Sequence, residues 1–336
     1  MGIGDNLNTR WLTDKELLIL HRNSLDQLVI EIRDLAHGTS KRVPPVLDLT
    51  TSPATPFVGI PPESTIKLSS DRRFARIWWF GSFRCVSIFD AANKKNMILR
   101  DIPRLGEFYQ PHPHVPQQGK PQGFLDASHW IYCYDKYWTT PILYVVGDDN
   151  GAMSEIQAFD VPINMASNNN KCYQLGLTAK GNLLESVRPE SWSTATKTAV
   201  VLEYVPGTSS PLHIYPVNLP IPKNAAAEFS IPPALSPDGS KIAWLLPYSD
   251  GHTDSKFTDF LRRHHVLPPR PDHAVWTSDC YGRNIHLVSI LAASHTQVSE
   301  LDWTPDGRYI TFKQEIIASA TQMKVDVMLH KIQVAP

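Results

Sequence analysis

One short turn occurs twice in the chain and restricts the folds available to it. Residues 235–244 read Leu-Ser-Pro-Asp-Gly-Ser-Lys-Ile-Ala-Trp, and residues 302–312 read Asp-Trp-Thr-Pro-Asp-Gly-Arg-Tyr-Ile-Thr-Phe. In a Pro-Asp-Gly turn, proline presets φ, the aspartate side chain bonds to nearby backbone, and glycine accepts a positive φ. Because alternating apolar residues flank both copies, each turn predicts a tight β-hairpin. Two copies indicate a repeated β unit.

The repeat extends over the whole chain when the turn aspartate is taken as an anchor. An anchor should be followed at positions +4 and +6 by apolar side chains, since strand residues two apart share a face. Six positions, 53 to 68 residues apart, follow this pattern: Asp14, Asp71, Asp126, Ala179, Asp238 and Asp306. The pattern fails once, at Glu185. Further apolar runs in most units bring the strands to four per unit, which is the composition of a propeller blade.

The first unit also fits a helix. Thr13 and Glu16 could form a capping box, and apolar residues follow at three- and four-residue spacing up to Leu35. The alternation through Ile30 and Ile32 and the regular tiling favour strands. The sequence therefore predicts a six-bladed propeller, with five blades and an N-terminal helix as the alternative.

The repeated turn resembles the Pro-Asp-Gly repeat of TolB-type β-propellers and of the propeller domains of prolyl oligopeptidases. The match is strong in the two Pro-Asp-Gly units, partial around Asp71 and Asp126, and weak in the first and fourth units. The resemblance implies an all-β fold of four-stranded antiparallel blades in one domain. It implies no catalytic serine, because the sequence has no Gly-x-Ser-x-Gly elbow. It also does not extend to TolB's α/β domain, so TolB's partner-binding role is not implied.

The predicted domain covers residues 1–336. Its approximate blades are residues 8–50, 64–100, 119–160, 171–217, 231–290 and 296–336. The last unit shows a third strand over residues 325–332, and only residues 1–8 remain to supply a fourth. The sequence therefore leaves the closure of the ring open.

Charge and motifs restrict the partners and cofactors. The formal net charge is −1, with Lys and Arg interspersed among Asp and Glu, so neither nucleic acid nor a membrane is expected as a partner. The N-terminus lacks signal-peptide features, and a cytoplasmic protein is expected. No phosphate-binding glycine loop or His-Glu-x-x-His occurs, so no cofactor is expected. The cysteines lie in different units without a Cys-x-x-Cys and predict buried free thiols rather than a metal or redox pair: Cys85, Cys133, Cys172 and Cys280.

The connections divide into two sets of unequal length. In a four-stranded blade, the first-to-second and third-to-fourth turns share one face, and the remaining loops share the other. The first set is short here, whereas the second contains residues 38–62, 102–121, 161–170, 188–196, 218–231 and 246–272. Long loops on a rigid scaffold commonly carry function. The site is therefore expected on the long-loop face, at the mouth of the central channel.

One long loop is expected to contain a lid. Residues 255–267 look like a short helix within a lid-like insertion at 247–272, with Phe257 on the apolar side. As a lid, the helix would bring a charged set to the channel mouth: Asp259, Arg262, Arg263, His264 and His265. Arginine binds anions bidentately, and histidine titrates near neutral pH. The alternative is a solvated helix end with cations favourably placed at its C-terminus.

A second loop carries a His-x-His pair. His112 and His114 would point to the same side of an extended segment, a spacing that can bind zinc or copper. No third ligand adjoins, which favours a proline-stiffened loop with exposed histidines and no metal. A composite site with His264 or His265 stays open.

Further residues are candidates for contact with a ligand in the predicted funnel. The aromatic candidates on the long-loop face are Tyr109, Tyr137 and Trp138. The first strand of each blade lines the channel, and its candidates are Arg10, Lys67, Gln122, Tyr173 and Glu300. Side chains alternate along a strand, so only about half of these should point inward.

Two functions follow from this arrangement. The first is a propeller that binds a small organic molecule, as a cofactor-independent cyclase, isomerase, lyase or hydrolase. His264, His265, His112 or His114 would act as acid or base, with Asp259 or Glu300 as the orienting carboxylate. The alternative is a protein–protein interaction scaffold. Concentration of long loops on one face favours the first, and a 255–267 segment projecting into solvent would argue against it.

Overall fold

The structure of the chain is a computed structural model. It describes residues 6–22, 28–43, 65–68, 74–78, 85–90, 95–98, 120–124, 129–133, 142–147, 153–159, 170–189, 191–192, 198–205, 208, 210–222, 227–228, 231–249, 251, 255–263, 267, 273–291, 296–319 and 322–334. Apart from one helix, α1 (Lys256–Arg263), the regular structure in these residues is antiparallel β-sheet.

Six sheets of three or four strands follow one another along the described chain. The first contains β1 (Asn6–Trp11), β2 (Glu16–Arg22), β3 (Leu28–Asp34) and β4 (Thr39–Val43). The second contains β5 (Thr65–Leu68), β6 (Phe74–Trp78), β7 (Cys85–Asp90) and β8 (Lys95–Ile98). The third contains β9 (Lys120–Phe124), β10 (His129–Cys133), β11 (Ile142–Gly147) and β12 (Met153–Phe159).

The remaining strands continue this order. The fourth sheet contains β13 (Asn170–Leu177), β14 (Leu183–Pro189), β16 (Thr198–Tyr204) and β17 (His213–Asn218). The fifth contains β19 (Ala234–Leu235), β20 (Lys241–Pro247), β21 (His273–Asp279) and β22 (His286–Ile290). The sixth contains β23 (Thr296–Trp303), β24 (Tyr309–Ser319) and β25 (Gln322–Gln333). Two short strands, β15 (Ser191–Trp192) and β18 (Ala227–Glu228), pair outside the six sheets.

The sheets are arranged side by side as propeller blades. The first strand of each sheet neighbours the first strand of the next, from β1 through β5, β9, β13 and β19 to β23. Apolar side chains fill the spaces between the fourth and fifth sheets and between the fifth and sixth sheets. Leu184 and Val201 of the fourth sheet pack against Trp244 of the fifth, and Val275 of the fifth packs with Phe312 of the sixth. The all-β propeller prediction is therefore confirmed, while the blade boundaries and blade number stay predictions.

The first and last sheets meet through side chains. The Trp11 indole N–H in β1 donates a 3.2 Å hydrogen bond to Thr311 Oγ1 in β24. Leu329 of β25 packs against Trp11, Leu17 and Ile19 of the first sheet. β1 pairs with β2, so residues 6–8 belong to the first sheet rather than to a fourth strand of the last one. Within the described residues, the last sheet has three strands.

The repeated turns share one hydrogen-bond pattern. Ser236 Oγ accepts the Lys241 N–H at 2.9 Å, and the Ser236 carbonyl accepts the Gly239 N–H at 2.9 Å. Thr304 plays the same part in the sixth sheet, where its hydroxyl accepts the Tyr309 N–H at 3.1 Å. The fourth unit lacks Pro-Asp-Gly, yet the Thr178 hydroxyl accepts the Asn182 N–H at 3.1 Å. A hydroxyl at this position therefore closes the hairpin even where proline and aspartate are missing.

The first unit is a sheet, so the alternative of an N-terminal helix is wrong. Thr13 Oγ1 accepts the Glu16 N–H at 3.0 Å, which is the bond that a helix N-cap would make. Here the same bond belongs to the turn between β1 and β2, whose ends are joined by the Leu12 N–H to the Glu16 carbonyl at 2.9 Å. One local hydrogen bond serves both structures, which explains the ambiguity of the sequence.

The two faces of the propeller are distinguished by their connections. β15 lies in the loop after β14, and β18 lies in the loop after β17, and the two strands pair. Their pairing places both long loops on the same face, as expected from the strand order. Helix α1 lies between β20 and β21, in another loop of this set. In the described part of the chain, no helix is long and apolar enough to cross a membrane.

Candidate functional site

The sequence of helix α1 explains where the helix begins and which of its sides is apolar. Ser255 is its N-cap, with its hydroxyl accepting the Thr258 N–H at 3.1 Å. The predicted short helix in residues 255–267 is confirmed over Lys256–Arg263. Phe257 and Phe260 lie on one side of it, because residues three apart are neighbours on a helix. Phe257 is 69% exposed and Phe260 is 54% exposed. The apolar side of α1 therefore lies largely in solvent.

Several predicted site residues fall outside the part of the chain that the structure describes. They are Tyr109, His112, His114, Tyr137, Trp138, His264 and His265. Asp259, Arg262 and Arg263 lie in α1, where the structure describes the backbone. Their roles as acid, base or anion ligand stay predictions.

The predicted channel residues lie in the expected strands. The first strands of their sheets hold all five: Arg10 in β1, Lys67 in β5, Gln122 in β9, Tyr173 in β13 and Glu300 in β23. These strands are neighbours in the ring. Arg10 donates a 2.8 Å hydrogen bond to the Thr9 carbonyl, and Tyr173 is half-buried opposite Ser186. Contact of these residues with a ligand stays a prediction.

The structure brings together a polar cluster that the sequence did not indicate. Glu203, near the end of β16, is only 2% exposed. Its two oxygens accept hydrogen bonds from the Asn182 side-chain amide at 2.7 Å and from the Tyr215 hydroxyl at 2.8 Å. A buried carboxylate needs such donors to offset its lost hydration. Glu203 therefore holds the turn before β14 and the strand β17 in one arrangement.

Aromatic rings extend this cluster to the fifth sheet. The Tyr281 ring lies 4.5 Å from the Tyr215 ring, and the His213 ring lies 5.6 Å from it. The Arg283 guanidinium carbon lies 5.4 Å from the Tyr215 ring centre and 5.9 Å from that of Tyr281. Burial, together with the hydrogen bond to Glu203, raises the pKa of Tyr215. Its hydroxyl therefore keeps its proton and remains a donor.

This cluster lies on the short-turn face, not on the long-loop face where the site was expected. Asn182 ends the turn between the first two strands of the fourth sheet, and Tyr281 and Arg283 lie in the turn between β21 and β22. No sequence motif links these residues. The sequence feature that could have indicated the cluster is the segment Asp279 to Arg283, in which a tyrosine and an arginine flank a glycine.

Glu185 is a second unexpected feature. It is 1% exposed, and its Oε2 has no hydrogen-bond partner among the residues that the structure describes. Burial raises its pKa from 4.5 to about 8. Because Leu184 packs toward the fifth sheet, alternation turns Glu185 to the opposite face of the fourth sheet. In the sequence, Glu185 stands out as the one position at which the apolar pattern at +4 and +6 from the anchors fails.

The described residues also bear on the predicted thiols and on metal binding. Cys280 is a free, half-buried cysteine. Burial, with the neighbouring Asp279 charge, raises the pKa of its thiol. No group of three or more His, Cys, Asp or Glu side chains in the described ranges is arranged to hold a metal ion.

Comparison with known proteins adds information on the fold. No family model and no curated protein matches the sequence. An α-L-arabinanase from Penicillium chrysogenum, complexed with arabinobiose, is similar with a TM-score of 0.53 and 9% identity, over 97% of this chain and 93% of that one. TolB from Acinetobacter baumannii is similar with a TM-score of 0.45 and 12% identity, over 95% of this chain and 66% of TolB. The Dos1 propeller has a TM-score of 0.43 and 10% identity, over 99% of this chain and 73% of that one. Likeness at these identities concerns the fold alone, and the chain is an all-β propeller.

Proposed function

We propose that this propeller is a protein-interaction module that binds its partner through the apolar side of helix α1. The observation that carries the proposal is the exposure of Phe257 and Phe260, at 69% and 54%. Two large apolar side chains on one helix side form a patch of the kind that marks interaction sites. Aromatic side chains are also the common anchors of protein interfaces.

The helix is suited to present these side chains. Its N-cap at Ser255 satisfies one backbone N–H group of the first turn and so stabilises the start of the helix. A preformed helix loses little conformational entropy on binding, which favours affinity. A lid over a pocket would instead turn its apolar side inward and bury Phe257.

The charge of α1 indicates what the partner presents. The helix contains three basic residues, Lys256, Arg262 and Arg263, and one acidic residue, Asp259. A helix sequence with more basic than acidic residues, next to an exposed apolar pair, favours a partner with an apolar groove and acidic residues at its edge. We therefore propose a folded protein partner with an acidic-rimmed apolar groove.

The test is site-specific photo-cross-linking in the producing cell. A photoreactive phenylalanine analogue replaces Phe257, and in a control it replaces Leu212, which is 51% exposed on the fourth sheet. We expect one protein adduct from position 257, absent from position 212 and lost when Phe260→Ser is added. Identical adducts from both positions, or no loss with Phe260→Ser, would contradict the proposal.

A second candidate is the binding of a small organic molecule, as a cofactor-independent cyclase, isomerase, lyase or hydrolase. Glu185 favours it, because buried groups with displaced pKa values concentrate at functional sites. The proposed acids and bases on the long-loop face remain His112, His114, His264 and His265. Native mass spectrometry of the protein from its producing cell tests this candidate. A retained organic compound supports it, and a bare chain with a co-purifying protein supports the interaction module. For both candidates we propose the cytoplasm, which cell fractionation checks.

A further inference from the structure

We propose that Arg283, Tyr215 and Tyr281 form an oxyanion-binding site at the junction of the fourth and fifth sheets. The ligand class is a phosphate monoester or a carboxylate. This site is separate from helix α1 and lies on the short-turn face.

The turn that carries Arg283 is fixed in place. Asp279 Oδ1 accepts the N–H groups of Tyr281 at 3.0 Å and of Arg283 at 2.8 Å. Gly282 has a φ of 76°, and a Cβ at this position would overlap the side chain of Val217 in β17. Only glycine allows the turn to approach β17 this closely. The position of Arg283 relative to the fourth sheet is therefore determined before any ligand arrives.

The two tyrosine rings form a shelf for the guanidinium. Tyr215 is held by its 2.8 Å hydrogen bond to the buried Glu203, and the Tyr281 ring lies beside it, 4.5 Å away between ring centres and tilted by 39°. A guanidinium over aromatic faces is attracted by the rings and loses part of its rotational freedom. These cation–π contacts at 5.4 and 5.9 Å use none of the guanidinium N–H groups as hydrogen-bond donors to the rings, so the N–H groups stay available for an anion.

The nearby carboxylates are already occupied. Both Glu203 oxygens accept hydrogen bonds, from Asn182 and Tyr215, and Glu203 forms no ion pair with Arg283. Asp279 Oδ1 is engaged by two backbone N–H groups. Within the described residues, the Arg283 side chain has no hydrogen-bond acceptor. Arg308, by contrast, binds Asp306 at 2.5 Å.

An anion with two oxygens fits this arrangement. The guanidinium fork matches the spacing of carboxylate or phosphate oxygens and binds them with two parallel hydrogen bonds. His213 is exposed beside Tyr215, and its ring offers an N–H donor. The Tyr215 and Tyr281 rings offer an apolar wall next to the charge. The arrangement has the features of a weak, preorganised oxyanion site.

The test is NMR titration of the intact chain with three probes: inorganic phosphate, O-phosphoserine and acetate. We expect saturable binding in the millimolar range, with a shift of the Arg283 side-chain Nε–H resonance. Arg283→Lys should weaken binding about tenfold or more, because the ammonium keeps the charge and loses the fork. Tighter binding of the phosphate probes identifies a phosphate ligand, and tighter binding of acetate identifies a carboxylate.

Arg308→Lys is the matched control, since it changes an exposed arginine that already has a carboxylate partner. It should leave probe binding unchanged. The site is disproved if no probe saturates wild type, or if Arg283→Lys binds as well as wild type. Equal weakening by Arg308→Lys would show nonspecific screening and also overturn the proposal. Thermal unfolding of both variants checks that they remain folded.

Discussion

Phe257 and Phe260 lie three residues apart on one side of helix α1, and both are more than half exposed. Replacing both with serine should therefore change the free energy of unfolding by less than about 0.5 kcal/mol, as for ordinary surface substitutions. Leu184→Ala, at a site with no exposed surface, should cost about 2–5 kcal/mol in the same urea titration. A large loss of stability in the double serine variant would mean that the two phenylalanines stabilise the fold and would contradict their role as a binding surface.

Glu185 should make the stability depend on pH. Burial raises its pKa from 4.5 to about 8, so the folded state binds a proton that the unfolded state releases between these values. The stabilising contribution is complete below about pH 4.5 and is lost as the pH rises through about 8. The full difference corresponds to roughly 5 kcal/mol. Urea unfolding of wild type and of Glu185→Gln between pH 5 and about 9 measures this difference. The free energy of unfolding of the variant, relative to that of wild type, should increase as the pH rises.

Glu203→Gln is the control for that experiment. Glu203 is equally buried but has donors on both oxygens, so replacing its carboxylate should destabilise the fold at every pH. A Glu185→Gln variant whose stability runs parallel to wild type at all pH values would show that Glu185 is not held protonated.

Gly239 should tolerate alanine poorly. Its φ is 70°, and a Cβ would lie 2.6 Å from the carbonyl oxygen of Leu177 at the end of β13 and 2.8 Å from the Ala179 nitrogen in the turn that follows. Gly251 has a φ of 76° and, among the described residues, no atom within 4 Å of its Cβ position, so Gly251→Ala reports mainly the backbone strain. We expect about 1 kcal/mol for Gly251→Ala and clearly more for Gly239→Ala, measured by urea unfolding. Equal losses would mean that the two turns do not pack against each other.

Trp11 should hold the first and last sheets together. Trp11→Phe removes the hydrogen bond to Thr311 and should cost about 1 kcal/mol. Trp244→Phe removes a comparable 2.9 Å bond to Ser278, but within one sheet. Hydrogen exchange separates the two variants. Faster exchange should appear in β1, β24 and β25 for Trp11→Phe and in β20 and β21 for Trp244→Phe. Unchanged exchange in β24 with Trp11→Phe would contradict side-chain closure of the ring.

The strands could be predicted because their turns are closed by local chemistry. The hydroxyls of Thr178, Ser236 and Thr304 accept N–H groups a few residues away, and such contacts leave a pattern in the sequence. Thr13 shows the limit of this reasoning, since its bond to the Glu16 N–H suits a helix cap as well as a hairpin. The regular spacing of the repeat and the alternation of apolar residues predicted strands for the first unit, which is correct.

The polar cluster could not be predicted, because it depends on how separate sheets pack. Glu203 and Tyr215 lie in the fourth sheet, whereas Tyr281 and Arg283 come from a turn of the fifth. A repeat pattern places strands within a unit but carries no information on contacts between units. Glu185 was visible as a mismatch, but a mismatch does not reveal whether the residue is exposed or buried without a partner.

The most direct measurement is the affinity of the partner recovered by cross-linking from position 257. Wild type and the Phe257→Ser/Phe260→Ser variant are titrated against the purified partner at the same ionic strength. Loss of two aromatic anchors should weaken binding about a hundredfold, or nearly 3 kcal/mol. Equal dissociation constants for the two proteins would show that helix α1 is not the binding element and would contradict the proposed function.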